Sequence, residues 1–405
     1  MKIFKYLLYV SFIVLISACS EDIMDDINEN RNDAEEMIMD NILPDMIVKS
    51  AYETTGTDIA WFTSIYVEQN AGTWGQASDA DKRIGQNTAS LFNNSWNSLY
   101  EVMNICKTVI RGTDPTTGSE PLNLGVRGVA QLLMAYNLAV TTDMWGECPY
   151  TQAFNGAEIL QPAYDKQSAL YVEIQDLLDD AIENFTNGGS VSGTDFIYGG
   201  DADAWIRAAY SLKARYYMRL SNRNTNAAAN ALAALANGFT SGADDMLFAE
   251  YQADLPNANP WGEYWYVRDH NSVSTTLYNI LDTRNDPRLP YLANGDNPAP
   301  IGEAEQTQGG YSQSAISTGW DNFDANWTAP TPMMTYHELK FIEAEAQFRN
   351  GAAAATWQAT LSEAIAAAFD YIGTHYYGGT IPGAAAYYTN EVVPRLTAGN
   401  ELSES

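Results

Sequence analysis

Three cysteines and three histidines in 405 residues leave little material for metal or redox chemistry. His270, His337 and His375 have no partners at zinc-ligand spacing, and HExxH does not occur. GxSxG, the phosphate-binding P-loop and GxGxxG are absent too, so the common signatures of serine hydrolases and nucleotide sites are missing. GGDADAW at 199–205 carries only two acids and lacks the spaced acids and distant Glu of a calcium loop. No metal, no cofactor and no catalytic residue is expected. Basic residues are also short, 21 Lys and Arg against 51 Asp and Glu, for a formal charge of −30. Such a surface repels phosphate backbones and excludes nucleic acid as a partner.

Long apolar runs are missing everywhere except at the start. MKIFKYLLYVSFIVLISA places Lys2 and Lys5 before an apolar core and ends in small residues, the layout of a signal peptide over 1–18. It is too short for the ~20-residue span of a transmembrane helix. Ile16-Ser17-Ala18-Cys19 resembles a bacterial lipobox, which makes Cys19 the expected lipidation site. Each buried acyl CH₂ adds about 0.8 kcal/mol, so two or three chains would tether the protein firmly to a membrane. Removal of 1–18 takes away two lysines and no acids, leaving 19 bases against 51 acids, or −32. Residues 19–32 are acidic and aperiodic and read as a tether.

What is abundant is helical periodicity. Phe92, Trp96, Leu99, Met103, Cys106 and Ile110 recur at alternating spacings of four and three, one face of a helix. Leu122, Val126, Val129, Leu133, Tyr136 and Val140 repeat the pattern, as do Leu170 to Phe185 and Trp205 to Leu220. An Ala-rich helix over 226–236 closes at Asn237-Gly238. Two more helices are expected after residue 333, ending at Gly351 and Gly373. The expectation is an all-α fold of tetratricopeptide-like helical hairpins, although the repeat consensus is not clean. Cys106 falls on a core face; its spacing from Cys148 leaves a disulfide open, and two unpaired thiols are the simpler reading.

Residues 239–332 differ, with 8 of the 15 prolines, 4 of the 10 tryptophans and fading periodicity. A loop region of that length is usually functional. The domain therefore divides into hairpins over 33–238, a loop-rich insertion over 239–332, and a helical hairpin and tail over 333–405. NPWGEYWYVRDHN (259–271) and TGWDNFDANWT (318–328) cluster aromatics with Asp and Asn, and Trp74 sits in a Gly-rich polar loop. Flat aromatic rings beside amides and carboxylates suit a neutral glycan, which offers apolar C–H faces and many hydroxyls. Trp74, Trp261, Trp265, Trp320 and Trp327 are the candidate ligand-binding residues. Trp96, Trp145 and Trp205 read as core, with Trp61 and Trp357 beside them. Glu338 and Glu345, seven apart on one helix face, could serve as a glycosidase pair, but bracing of neighbouring helices is the simpler reading.

Six segments in order carry a resemblance. They are LYEVMNICKTVI, DMWGECPYTQAF, PAYDKQSALYVEIQDLLDDAI, GDADAWIRAAYSLKARYYMRLSN, NDPRLPYL and MTYHELKFIEAEAQFRNG. Behind a lipobox, over roughly 33–375, they resemble the SusD/RagB family of outer-membrane lipoproteins from Bacteroidetes, in its second SusD-like subgroup. The resemblance implies a helical scaffold whose loops carry the ligand site. It implies a lipid-anchored protein on the outer face of the outer membrane, capping a SusC-like TonB-dependent transporter and delivering oligosaccharides, or in some members peptides. SEDIMDD after Cys19 is similar to the family's surface-export signal. The family normally continues past the helix near residue 365 into a QK motif and a terminal helix, which this sequence lacks, so a C-terminal truncation is expected. Peptide capture, a helical glycan-degrading enzyme and a purely structural surface role are the alternatives.

Overall fold

The computed structural model describes residues 37–85, 92–156, 158–268, 270–293, 295–304, 311 and 327–396. The signal peptide, Cys19 and the tether therefore lie outside the described residues, as does Trp320. The main folded unit is Met39–Ser405.

The chain is mostly helical, and helices that follow one another pack against one another. α1 (Leu43–Lys49) runs directly into a π-helical turn, Ser50–Gly56, and is followed by α2 (Asp58–Tyr66), β1 (Asn70–Gly72) and α3 (Gly75–Asp81). The scaffold is α4 (Asn93–Gly112), α5 (Leu124–Trp145), α6 (Gln167–Gly188), α7 (Ala202–Arg219) and α8 (Ala227–Leu235), each packed on the next. Next come β2 (Met246–Phe248), α9 (Pro260–Val267), β3 (Asn271–Val273), α10 (Thr275–Thr283) and α11 (Leu289–Leu292). β4 (Thr331–Met334), α12 (Tyr336–Arg349), α13 (Ala354–Tyr377) and α14 (Ala384–Tyr387) complete the set.

α5 shows why the scaffold holds. Residues 128–139 are buried without interruption, so the helix is covered on every side rather than along one stripe. Each fully buried Leu, Val or Met there contributes roughly 1.5–3 kcal/mol. Its two strongly polar buried residues are satisfied: Gln131 accepts from Asn184 Nδ2 at 2.7 Å, and Asn137 accepts from Thr54 Oγ1 at 2.6 Å and donates to Ser50 Oγ at 2.9 Å. The partners of Asn137 belong to the π-helical turn, so α5 and that turn fix each other's register. A Cβ on Gly128 would lie 2.6 Å from the Phe185 ring, which is why a glycine stands where α5 and α6 cross.

α7 begins at Asp201, whose carboxylate accepts from Asp203 N at 2.9 Å and Ala204 N at 3.1 Å, a side-chain N-cap. Just before it, Asp195 accepts the Trp205 indole N–H at 2.7 Å. Trp205 is fully buried, stacked on Phe185 and edge-on to Tyr198. A second core forms around Trp357, Leu361, Phe369 and Tyr387 at the C-terminal end.

Two details depart from the periodicity. Leu122 does not join the face of α5: the helix starts two residues later, and Leu122 is 91% exposed in the preceding turn. α13 does not stop at Gly373 but runs to Tyr377 and ends on the left-handed Gly378. Gly373 is needed for a close approach instead, because a Cβ there would meet Gly379 O at 2.2 Å. Cys106 and Cys148 are both free and buried.

Among the described residues strands form only two short antiparallel ribbons. β2 pairs with β4 through a bulge at Met246/Leu247. β1 pairs with β3 in the register Asn70↔Val273, Ala71↔Ser272 and Gly72↔Asn271. That second ribbon joins parts of the chain about 200 residues apart and assembles the site described next.

Candidate functional site

Trp74 follows β1 in fully extended conformation, φ −154° and ψ 156°, and precedes α3. The residue is 55% exposed, the most exposed Trp among those described. The turn that presents it is tight. Thr73 N donates to His270 O at 2.8 Å, Ser78 N donates back to Trp74 O at 3.2 Å, and Gly75 adopts φ +52°. A Cβ on Gly72 would fall 1.9 Å from Ala77 O, so the chain can fold back this closely only at a glycine.

The β1–β3 ribbon brings the 259–271 cluster to the same place. A Cβ on Gly75 would sit 3.8 Å from His270 Cε1, which puts the imidazole against the base of the Trp74 turn. His270 meets Tyr264 edge-on with centroids 6.4 Å apart, and Tyr264 lies 4.3 Å from Trp61. A continuous aromatic row therefore runs from Trp61 through Tyr264 and His270 to the turn that carries Trp74. Burial, and after it the nearby Arg268 charge, pushes the His270 pKa below its ordinary value, so the ring is uncharged at neutral pH. Burial also raises the Asp58 carboxyl, against the opposing pull of Asn94 and Arg268.

α9, which carries Tyr264, is held firmly in place. Asn259 caps it, accepting from Trp261 N at 2.8 Å, and the Asn259 amide donates to Ala329 O at 2.8 Å. Glu263 accepts from Tyr52 OH at 2.9 Å, and a Cβ on Gly56 would strike Pro260 at 2.5 Å. Ser274 closes the far end: its hydroxyl donates to Glu68 O and accepts from Leu277 N, capping α10 and tying it to the chain before β1.

The five tryptophans singled out by composition fall in different settings. Trp74 is exposed and Trp261 half-buried at the first turn of α9. Trp265 lies in α9, with its side chain outside the described part, and Trp320 lies outside the described residues altogether. Trp327 keeps only 6% of its surface and meets the exposed Tyr266 edge-on at 5.1 Å, so its ring supports Tyr266 rather than offering a free face. Trp96 and Trp145, half-buried, pack edge-on against each other, and Trp205 and Trp357 are core. Trp61, expected in the core, is half-buried and belongs to the aromatic row. His270 had no sequence signal of its own; only the ribbon reveals its place.

The carboxylate pair is occupied structurally. Glu338 takes two charge-assisted hydrogen bonds from Arg215, 2.7 Å from Nε and 2.6 Å from Nη2, and Glu345 pairs with Arg349 at 2.6 Å. Among the described residues no three His, Cys, Asp or Glu side chains converge as a metal-holding group. None of the described helices is long and apolar enough to cross a membrane.

A helical scaffold that holds an exposed tryptophan, Trp74, at the end of a largely buried aromatic row has the form of a binding protein. Comparison with known proteins then supplies the family. Residues 28–394 match the model of the second SusD-like family, described as starch-binding and associating with the outer membrane, and the chain belongs to it. Among solved structures it is similar to a SusD/RagB family protein from Bacteroides thetaiotaomicron, with 31% identity and a TM-score of 0.80, covering 91% of this chain and 82% of that one. A chitin-binding protein shares the fold at 22% identity and a TM-score of 0.73, over 90% and 81% of the two chains. A chitin-binding SusD homologue from Flavobacterium johnsoniae does so at 19% and 0.66, over 86% and 70%. No curated protein matches.

Proposed function

We propose that the protein is a cell-surface glycan-binding lipoprotein that captures oligosaccharides and delivers them to a SusC-like TonB-dependent transporter, without cleaving them. The observation that carries this reading is the exposed Trp74 ring, held by the β1–β3 ribbon beside His270 and Tyr264. Aromatic faces pack against the C–H face of a sugar ring, and neighbouring amides and carboxylates exchange hydrogen bonds with its hydroxyls. Trp261 at the first turn of α9 extends the contact surface and Trp327 supports it through Tyr266, with Trp265 and Trp320 as further candidate contacts. Cys19 carries the lipid, and residues 19–32 act as the tether between membrane and folded unit.

The family description as starch-binding and the two chitin-binding neighbours favour glucan and N-acetylglucosamine oligomers as first ligands to try. Engagement of Glu338 and Glu345 by arginines favours binding over hydrolysis. The test is calorimetry of the chain from Ser20 onward against starch- and chitin-derived oligosaccharides and mixed peptides, with product analysis of each mixture. Saturable heat with one glycan class and unchanged sugar supports the proposal. Heat with peptides alone would replace it by peptide capture, and released sugar would make the protein an enzyme.

A further inference from the structure

A cavity of about 380 Å³ lies away from the aromatic row, walled by α7, β4, α12 and α13. None of the five candidate tryptophans lines it. Its size is in the range of small-molecule sites and too small for a polymer. Its walls combine apolar surface, from Met333, Phe341 and the Tyr371 ring, with one concentrated polar feature, the Arg215–Glu338 pair.

The state of that pair is informative. Arg215 is 12% exposed and spends Nε and Nη2 on Glu338, with a further bond from Nη2 to Met333 O at 2.9 Å. Nη1 makes no hydrogen bond among the described residues and is not sealed from solvent, so the guanidinium keeps an accessible donor at the cavity wall. The charge of Arg215 is cancelled by Glu338, and burial pushes the His337 pKa down to about 4, so the imidazole adds no charge at neutral pH. His337 Nδ1 is itself buried without a partner. The lining is therefore neutral as a whole, and it combines the Phe341 and Tyr371 rings with a guanidinium donor and a carboxylate acceptor.

We propose that this cavity is a second binding site, separate from the Trp74 surface, for a single neutral sugar unit. Phe341 and Tyr371 would take the apolar face of the ring, while Arg215 Nη1 donates to, and Glu338 accepts from, its hydroxyls. An anionic ligand would meet the Glu338 carboxylate and a cationic one the Arg215 guanidinium, which is why the neutral class fits. The inference rests on the chemistry of the cavity and stands or falls apart from the role of Trp74.

The test follows isotope-labelled methionine methyls by NMR in the chain from Ser20 onward. It is titrated with methyl glucoside, methyl N-acetylglucosaminide, methyl galactoside and glucose phosphate. The Met333 methyl resonance should shift saturably with at least one neutral glycoside, to the same extent in wild type and Trp74→Ala. Phe341→Ala should weaken that binding about tenfold or more; if this variant does not fold, the wild-type methyl shifts decide. No saturable shift with any neutral glycoside would overturn the proposal. So would a shift lost in Trp74→Ala, or a preference for glucose phosphate.

Discussion

Trp205 and Trp74 are the same residue type put to opposite uses. Trp205 has no exposed surface, its N–H is bonded to Asp195, and Phe185 and Tyr198 cover its ring. Trp74 leaves more than half its surface in solvent, and the chain around it is held by backbone hydrogen bonds and glycine geometry. Tryptophan at the first position supplies stability; at the second it supplies a surface for something else to cover. The scaffold thus bears the energetic load, and the loop region is free to spend its aromatics on recognition.

The comparison breaks first at Trp205. Trp205→Ala opens a large cavity and removes the indole hydrogen bond to Asp195, and should lower stability by about 3–5 kcal/mol in urea unfolding. A loss below about 1 kcal/mol would mean that the scaffold core lies elsewhere. Next, Gly72→Ala forces a Cβ into the backbone at Ala77 and should cost about 1–3 kcal/mol. It should also weaken glycan binding without touching ligand, because the Trp74 turn must move; unchanged affinity would show that this turn is not what positions the ligand.

A pH-dependent effect is expected just before β2. Burial raises the Asp245 carboxyl from 3.8 to about 7, although Tyr336 N donates to it. Between those values the folded state holds more protons than the unfolded, so this group's contribution to stability falls as pH rises. Asp245→Asn, which keeps the acceptor, should gain on wild type as pH rises from about 4 to 7 in thermal melts; a constant difference would refute the assignment. His337 acts in the opposite sense, its lowered pKa costing stability as pH drops from 6.5 towards 4. Smallest of all, Trp74→Ala should leave folding stability within about 0.5 kcal/mol of wild type in the same melts.

The sequence made the scaffold legible because each helix there buries a face at regular spacing: Leu99, Met103 and Cys106, or Ile174, Leu178 and Phe185, are all buried as the pattern requires. Leu122 and Gly373 misled for local reasons, one a leucine in a turn, the other a glycine retained for contact rather than for a helix end. The site was legible only in its ingredients. A three-residue strand has no periodicity to read, and the pairing of Asn70–Gly72 with Asn271–Val273 is decided by tertiary packing. Without that pairing nothing linked Trp74 to His270. Nor could composition separate exposed Trp74 from buried Trp327, since both lie in polar, aromatic-rich stretches.

The central claim is that the exposed face of Trp74 captures glycan, and the most direct measurement is the affinity of Trp74→Ala for the oligosaccharide that the wild type binds most tightly, taken by calorimetry on protein shown to be folded. A loss of about 2 kcal/mol or more, roughly 30-fold in Kd with an unchanged melt, is the predicted result. Affinity within about twofold of wild type would contradict the account and move the capture surface away from the β1–β3 ribbon.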